Sequence, residues 1–150
     1  MHRILFVCHG NICRSPMAEF LMKKLVADRG VADEFFIESA ATSTEEIGNR
    51  VHYGTRQVLD KYGIDYSKKR AVQITRDDYK KYDYIIGMDS YNLRNMKRIF
   101  GEDTDNKISL LLSFTDNPRD VADPWYTGDF SVTERDVLNG CNGLLKALKY

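Results

Sequence analysis

The stretch RILFVCHGNICRSP, residues 3–16, decides the fold of this chain. Its first six residues, 3–8, are almost all apolar and predict a strand that is buried on both faces of a sheet. A short glycine-containing loop follows, after which Ser15 and Pro16 predict the N-cap and the first position of a helix. The apolar face of that helix is indicated by Ala18, Leu21, Met22 and Leu25.

Strand and helix patterns continue to alternate along the rest of the chain. Three further strands are predicted over residues 35–40, 83–88 and 108–112. Helices are predicted over residues 51–62 (with Gly63 as C-cap), 90–100 and 132–148, with a long loop over 113–130. This order predicts an α/β fold: a three-layer sandwich in which helices flank a four-stranded parallel sheet. No linker or repeat interrupts it, so we expect residues 1–150 to form a single domain.

The amino-acid composition limits the classes of binding partner that we expect for this protein. Lys and Arg together number 22, as do Asp and Glu, so the balanced charge gives no general reason to expect nucleic acid or an anionic membrane. The apolar run near the N-terminus is too short for a signal peptide, and no segment approaches the length of a membrane span. Three cysteines make a poor disulfide framework. We therefore expect a cytoplasmic protein without nucleic-acid or membrane partners.

The loop after the first strand carries residues for binding an anion. It ends at a predicted helix N-terminus, where free N–H groups favour negative charge, and Gly10 allows the backbone to turn those groups inward. Arg14 adds a planar fork that matches two phosphate oxygens. Cys8 lies at the base of this cradle, where the same field stabilises a thiolate beneath a bound phosphate or other oxyanion. Ser15 can donate a hydrogen bond to that sulfur, and Asn11 can hold the shape of the loop.

A phosphocysteine route also requires a proton donor, and the long loop offers candidates. A carboxyl group there can protonate the leaving oxygen and later deprotonate water. Asp123 stands out among Asp116, Asp120, Asp123 and Asp129, because Pro124 stiffens it and two aromatic residues follow. Asp-Pro is also a common turn sequence, so these residues alone leave both interpretations open. A metal site at Cys8 and Cys13 lacks further ligands at suitable spacing, and Arg14 would repel a cation.

Residues 8–16 resemble the signature loop of the low-molecular-weight protein tyrosine phosphatases. Residues 123–126, Asp-Pro-Trp-Tyr, resemble that family's general-acid motif, and residues 39–43 and 85–93 are also similar. The resemblance covers essentially the whole chain. It implies a four-stranded parallel sheet with the phosphate-binding loop after the first strand, no metal, no cofactor, and phosphotyrosine-containing proteins as partners.

The resemblance also implies roles for individual residues. Cys8 is expected to be the nucleophile, Arg14 the phosphate clamp, and Asp123 the general acid and then the base. Asn11, Ser15 and Ser43 match the family's polar network under the loop. The remaining contacts to phosphate and substrate are expected from His9, Gly10, Asn11, Ile12, Cys13, Trp125 and Tyr126. Ile12 and the two aromatic residues offer apolar walls to a phenyl ring.

Some positions depart from the family pattern. Many members have an aromatic residue in one wall of the cleft where this chain has Glu45 or Glu46, and some place a histidine near Lys69. Members that act on phosphoarginine tend to carry threonine at the position of Ile12, which favours tyrosine here. Cys13 is either a small loop residue or the partner of Cys8 in a reversible disulfide.

Three other functions share parts of this pattern. A thiol-relay arsenate reductase needs further cysteines, and residues 83–95 contain none. A phosphocysteine carrier has no need of both Arg14 and a hydrolytic acid. A phosphotyrosine-binding module without catalysis would not need Cys8, Arg14 and Asp123 together.

Overall fold

The computed structural model describes residues 1–150 and contains one sheet of four parallel strands. The strands are β1 (His2–Cys8), β2 (Phe35–Ala41), β3 (Tyr84–Gly87) and β4 (Ile108–Leu110). Their order in the sheet is β2-β1-β3-β4. The chain thus leaves β1 toward one side for β2 and later returns to its other side for β3. The carboxyl end of β1 therefore lies at a topological switch point, where ligands bind in such folds.

Six helices surround the sheet. They are α1 (Arg14–Asp28), α2 (Tyr53–Asp60), α3 (Asp78–Lys81), α4 (Ser90–Phe100), α5 (Pro124–Thr127) and α6 (Phe130–Ala147). Two short 3₁₀ helices, Ala32–Glu34 and Leu111–Phe114, complete the secondary structure. None of the helices is both long and apolar enough to pass through a lipid bilayer.

Side chains of β1 alternate between two cores, one on each face of the sheet. Ile4 and Phe6 pack into the larger core, to which α1 and α6 contribute Met17, Leu21, Met22, Val137, Leu144 and Leu145. Leu5 and Val7 pack into the smaller core together with Met96 and Phe100 of α4. Since β1 is covered on both faces, almost all of its residues are apolar. The predicted three-layer α/β architecture is confirmed.

Several predicted boundaries were wrong by a few residues. The prediction of Ser15 as N-cap was wrong, because α1 already begins at Arg14 and Cys13 occupies the cap position without a side-chain cap. The fourth strand ends at Leu110, where the chain turns into the second 3₁₀ helix. α2 ends at Asp60, ahead of Gly63, whose φ of 66° is left-handed. The predicted long loop contains α5, and α6 begins at Phe130, because Asp129 accepts from the next backbone N–H groups and caps it.

Candidate active site

The loop of residues 8–15, called the cysteine loop below, wraps around the sulfur of Cys8. Cys8 is buried at the end of β1, and its Sγ lies 3.0 Å from the hydroxyl of Ser15. The backbone N–H of Asn11 donates to the same sulfur over 3.3 Å. Asn11 has a φ of 58°, a left-handed conformation that turns the loop sharply. Two groups that can donate a hydrogen bond, the Ser15 hydroxyl and the Asn11 N–H, therefore converge on the sulfur.

Carbonyl groups of the cysteine loop are held by neighbouring segments. The donor–acceptor pairs are Thr42 N to Cys8 O (2.9 Å), Ser43 N to His9 O (3.1 Å), His52 N to Ile12 O (2.8 Å) and Thr55 Oγ1 to Cys13 O (2.9 Å). Because donors outside the loop occupy these carbonyl oxygens, they are turned away from the centre of the loop. Because the N–H of a peptide points opposite to its C=O, this arrangement suits a loop whose N–H groups face an anion at its centre.

A buried polar network supports the loop from below. The amide of Asn11 donates to the hydroxyls of Ser15 (2.8 Å) and Ser39 (2.9 Å), and its Oδ1 accepts from the backbone of Val72 (3.2 Å). Ser39 in turn donates to Glu19 over 2.5 Å. The network thus connects the Cys8 sulfur, through Ser15 and Asn11, to the buried carboxylate of Glu19 on α1.

Lys69 neutralises the buried carboxylate of Glu19. Its Nζ lies 3.4 Å from Glu19 Oε1 and donates to the carbonyl of Ser39 over 2.8 Å. Lys23 pairs with the second carboxylate oxygen over 2.7 Å. Some family members have a histidine near this position. Here Lys69 supplies the positive charge beneath the loop instead, and Asn11 remains supported.

The guanidinium of Arg14 is buried and aligned by three oxygen atoms. Its Nη1 donates to Asp89 Oδ2 over 2.7 Å and to the carbonyl of Val121 over 2.9 Å, while Nη2 lies 3.4 Å from Asp123 Oδ2. Burial alone would lower the pKa of Arg14, but the charge at Cys8 and the hydrogen bond to Asp89 raise it. Arg14 therefore stays cationic at the mouth of the cysteine loop.

Asp123 lies across the cleft from the cysteine loop. Its carboxylate caps α5 by accepting from the backbone N–H of Trp125 over 3.0 Å, and 26% of its side chain is exposed. Among the four aspartates of the predicted long loop, Asp123 alone lines the cleft together with Cys8. Asp129 instead caps α6, where hydrogen bonds from Ser131 lower its pKa. Asp123 thus shares the cleft with Cys8 and keeps part of its carboxylate exposed.

The cleft brings together nearly all predicted contact residues. Its lining consists of Cys8, His9, Gly10, Ile12, Cys13, Arg14, Glu45, Glu46, Asp123, Trp125 and Tyr126. Trp125 and Tyr126 are 57% and 85% exposed, so they form a free apolar edge. The opposite wall is acidic, and Glu45 pairs with His9 over 2.8 Å. Asn11 lies beneath the lining, as part of the supporting network.

Cys13 differs chemically from Cys8 although both are buried. Its side chain packs against Ile12 and Ala71. Burial raises the pKa of the Cys13 thiol, and the charges of Cys8 and Asp123 raise it further. All three cysteines are free, and burial likewise raises the pKa of Cys141. These causes favour the thiol form of Cys13, whereas hydrogen-bonding groups of the loop converge on Cys8, which is therefore the candidate nucleophile.

Ser43 is the one predicted supporting residue that the structure does not bring into the network. Its hydroxyl donates to the carbonyl of His9 over 2.9 Å on the exposed side of the loop. Ser39 occupies the place expected for it. Sequence reasoning missed Glu19 and its pairing with Lys69, which was named only as a departure from the family pattern, although a glutamate on the apolar face of a predicted helix is a signal of a buried partner. No group of three His, Cys, Asp or Glu side chains is arranged to hold a metal ion.

Comparisons with known proteins find a matching family model and relatives over nearly the whole chain. Residues 3–150 match the family model described as "Low molecular weight phosphotyrosine protein phosphatase". The chain is 36% identical to the low molecular weight protein-tyrosine-phosphatase YfkJ of Bacillus subtilis, over 99% of this chain and 97% of that protein. It is 40% identical to the low molecular weight phosphotyrosine protein phosphatase of Rattus norvegicus, over 95% of this chain and 93% of that protein.

Solved structures show the same fold. The crystal structure of YfkJ superposes with a TM-score of 0.95, covering 99% of this chain and 95% of that chain. The low molecular weight protein tyrosine phosphatase SP-PTP of Streptococcus pyogenes superposes with a TM-score of 0.88 at 46% identity, covering 99% and 93% of the two chains.

Proposed function

The chain belongs to the low molecular weight phosphotyrosine protein phosphatase family and is a phosphatase, and from this premise we propose a mechanism through a phosphocysteine at Cys8. Cys8 acts as nucleophile, Arg14 as phosphate clamp, and Asp123 as general acid and then base. The observation that carries the proposal is the convergence on Cys8 Sγ of the Ser15 hydroxyl and the Asn11 N–H, beneath a loop whose carbonyls are held by other segments.

The first step transfers the phosphoryl group to sulfur. The Cys8 thiolate attacks phosphorus in line with the ester oxygen, an S–P bond forms and the P–O bond to the phenol breaks. Asp123 gives its proton to the departing phenolate oxygen. Arg14 and the inward N–H groups bind the equatorial oxygens of the phosphoryl group. The planar guanidinium can donate to two of these oxygens at once, and its positive charge stabilises their negative charge.

The second step hydrolyses the phosphocysteine. Asp123, now ionised, takes a proton from a water molecule that attacks phosphorus, and the S–P bond breaks to release inorganic phosphate. The hydroxyl of Ser15, 3.0 Å from the sulfur, stabilises the departing thiolate. The enzyme returns to its starting protonation state, with one phosphate and one phenol formed per water consumed.

The shape of the cleft supports phosphotyrosine as the substrate. Cys8 is buried at its base, whereas Trp125 and Tyr126 stand exposed at its rim. A long, flat phosphoester reaches the sulfur while its ring contacts these aromatic residues and Ile12. A phosphoserine side chain is too short for the same reach. We further propose that phosphotyrosine-containing proteins are the partners, and that the enzyme works in the cytoplasm, since three free thiols suit a reducing compartment.

The proposal is tested first by the release of inorganic phosphate. Peptides that carry phosphotyrosine, phosphoserine or phosphoarginine are incubated with the wild type and with Cys8→Ser. We expect release from phosphotyrosine alone and its loss in the variant, because a neutral hydroxyl is a far weaker nucleophile than a thiolate. Preference for phosphoarginine would retain the mechanism and overturn the substrate. No release from any peptide would favour a carrier, a binding module or, if thiol-coupled arsenate turnover appears, a reductase.

The role of Asp123 is tested by its replacement with alanine. We expect Asp123→Ala to lower kcat/KM for a phosphotyrosine peptide about 10²- to 10⁴-fold, since general acid catalysis contributes an effect of this size. The affinity for inorganic phosphate, measured by competitive inhibition, should change far less. The matched control is Asp116→Ala, which removes an exposed carboxylate outside the cleft. Equal turnover with and without the Asp123 carboxyl would refute the assignment.

A further inference from the structure

His52 contacts both halves of the active site at once. It immediately precedes α2, and its backbone N–H donates to the carbonyl of Ile12 in the cysteine loop over 2.8 Å. Its imidazole stacks on Phe130, with ring centroids 5.1 Å apart and planes 10° from parallel. The same imidazole meets the indole of Trp125 edge-on, at 5.6 Å and 71°. Phe130 and Trp125 belong to the segment of residues 123–130, called the acid segment below, which begins with Asp123.

The orientation of the imidazole is fixed by a hydrogen bond to the backbone. Nδ1 of His52 accepts from the N–H of Gly54 over 3.0 Å and caps the N-terminus of α2. The ring proton of the neutral imidazole is therefore on Nε2. The imidazole, held by its own helix cap, therefore offers a fixed contact to Phe130, which stacks on it, and to Trp125, which meets it edge-on.

Gly54 makes room for this arrangement. A Cβ atom at this position would lie 2.4 Å from a ring carbon of Phe130, so any side chain would displace that ring. Phe130 also packs against the cluster of Ile12, Cys13 and Ala71 beside the cysteine loop. The end of the acid segment thus rests jointly on α2 and on the cysteine loop.

Near Asp123 the acid segment is held by the ion pair between Asp123 and Arg14 (3.4 Å) and by the buried Pro124, whereas the two aromatic residues that follow have no polar side-chain partner. Trp125 is 57% exposed and Tyr126 is 85% exposed, and neither side chain makes a hydrogen bond in the structure. Asp123 is connected to Trp125 through its cap on the Trp125 N–H. The indole and the Asp123 carboxylate are thus joined through a single backbone N–H, and a shift of the indole can displace the carboxylate. Proton transfer is sensitive to such a shift, because donor and acceptor must come within hydrogen-bond distance.

We propose that His52 is a positioning residue that couples the acid segment to the cysteine loop, so that the Asp123 carboxyl stays aligned with the leaving oxygen above Cys8. The proposal rests on the function proposed above. The backbone of His52 supports the cysteine loop, and its imidazole supports the segment that carries the acid. Without the ring, the loop keeps its Ile12 hydrogen bond while the acid segment loses this fixed contact.

Two substitutions separate the ring from the helix cap. His52→Asn retains a side-chain acceptor at the N-cap but removes the ring, whereas His52→Phe retains a ring of similar size but removes the acceptor. The readout is kcat/KM for two aryl phosphates, phosphotyrosine, whose phenol is weakly acidic, and 2,4-dinitrophenyl phosphate, whose phenol is strongly acidic. Only the first needs a proton from Asp123 to leave.

We expect His52→Asn to lower kcat/KM about tenfold for phosphotyrosine and less than about twofold for the dinitrophenyl ester, since misplacing the acid affects only the poor leaving group. His52→Phe should stay within about threefold of the wild type for both esters, because the ring is what positions the segment. In an Asp123→Ala background the effect of His52→Asn should disappear.

Other outcomes overturn the proposal. An equal loss for both esters, or a loss that persists without the Asp123 carboxyl, would assign His52 to the fold or to the cysteine loop alone. If His52→Asn has the same kcat/KM as an active wild type for both esters, the imidazole does not position the acid segment. If His52→Asn does not fold, His52→Ser, which also keeps an N-cap acceptor without the ring, should shift the ratio of the two esters in the same direction, and an unchanged ratio counts against the proposal. A wild type inactive toward both esters would instead refute the proposed function.

Discussion

At the scale of single residues, Asn11 shows how a backbone conformation and a side chain serve one purpose. Its φ of 58° lies in the left-handed region, which glycine and asparagine tolerate and most residues avoid. Glycine would satisfy the backbone but would leave Ser15 and Ser39 without their amide donor. Only asparagine supplies both the turn and the support, so the residue links the shape of the loop to the environment of the Cys8 sulfur.

Substitution of Asn11 separates these two contributions. Asn11→Gly and Asn11→Ala both remove the amide, so both should lower kcat for a phosphotyrosine peptide. Asn11→Ala should in addition be about 1 kcal/mol less stable than Asn11→Gly, since a Cβ is strained at positive φ. Urea unfolding of the two variants measures the difference. Equal stability of the two would mean that the loop has no preference for the left-handed conformation.

At the scale of secondary-structure elements, α6 packs unusually closely against the 3₁₀ helix at residues 111–114. Gly140 and Gly143 face the 3₁₀ helix at residues 111–114, where added Cβ atoms would lie 2.3 Å from Leu111 Cγ and 2.2 Å from the carbonyl oxygen of Phe114. Glycine costs about 1 kcal/mol relative to alanine within a helix. The close approach of a backbone carbonyl explains why that cost is accepted at Gly143.

Alanine at Gly143 should therefore destabilise the protein despite its higher helix propensity. We expect Gly143→Ala to lower the free energy of unfolding by about 1–3 kcal/mol, the usual range for overpacking, as measured by urea denaturation. Asn139→Ala, at an exposed position of the same helix, is the matched control and should stay within about 0.5 kcal/mol of the wild type. A stabilised Gly143→Ala would show that α6 can move away from the 3₁₀ helix at little cost.

At the scale of the whole molecule, single carboxylates hold distant elements together. Asp103 accepts from the hydroxyl of Tyr79 on α3 (2.6 Å) and from the backbone N–H groups of Lys107 (2.8 Å) and Ile108 (3.0 Å) at the start of β4. Burial alone would raise the pKa of Asp103, but these hydrogen bonds to the ionised form hold it below its usual value of 3.8. The carboxylate thus connects α3 to the edge of the sheet.

This lowered pKa predicts part of the acid sensitivity of the fold. Because the unfolded chain binds the proton more readily than the folded one, the contribution of Asp103 is present above its unfolded pKa and is lost as the pH falls through the folded value. Asp103→Asn should therefore reduce the difference in unfolding free energy between pH 6 and pH 3. Urea denaturation at both pH values measures it, with the exposed Asp105→Asn as control. If the difference in unfolding free energy between the two pH values is the same in the variant, Asp103 does not contribute to the loss of stability in acid.

Much of the architecture follows from local sequence pattern. The apolar run of β1, the alternation of strands and helices, and the bounds of α4 at Ser90 and Phe100 were predictable, because each depends on the periodicity of neighbouring residues. The same holds for the short spacing that places Cys8 and Arg14 in one loop. Boundaries such as the start of α1 were less predictable, since Ser15 is a good cap in isolation but here bonds to the Cys8 sulfur.

The tertiary structure decided which distant groups support that loop. Sequence by itself determined the strand and the loop, because a motif of adjacent residues carries them, and the resemblance to a family singled out Asp123 among the aspartates of the long loop. It could not indicate that Glu19 and Lys69 meet beneath Asn11, or that His52 lies between Ile12 and Trp125. Such contacts join residues far apart along the chain, and only the packing of helices on the sheet sets the distances between them.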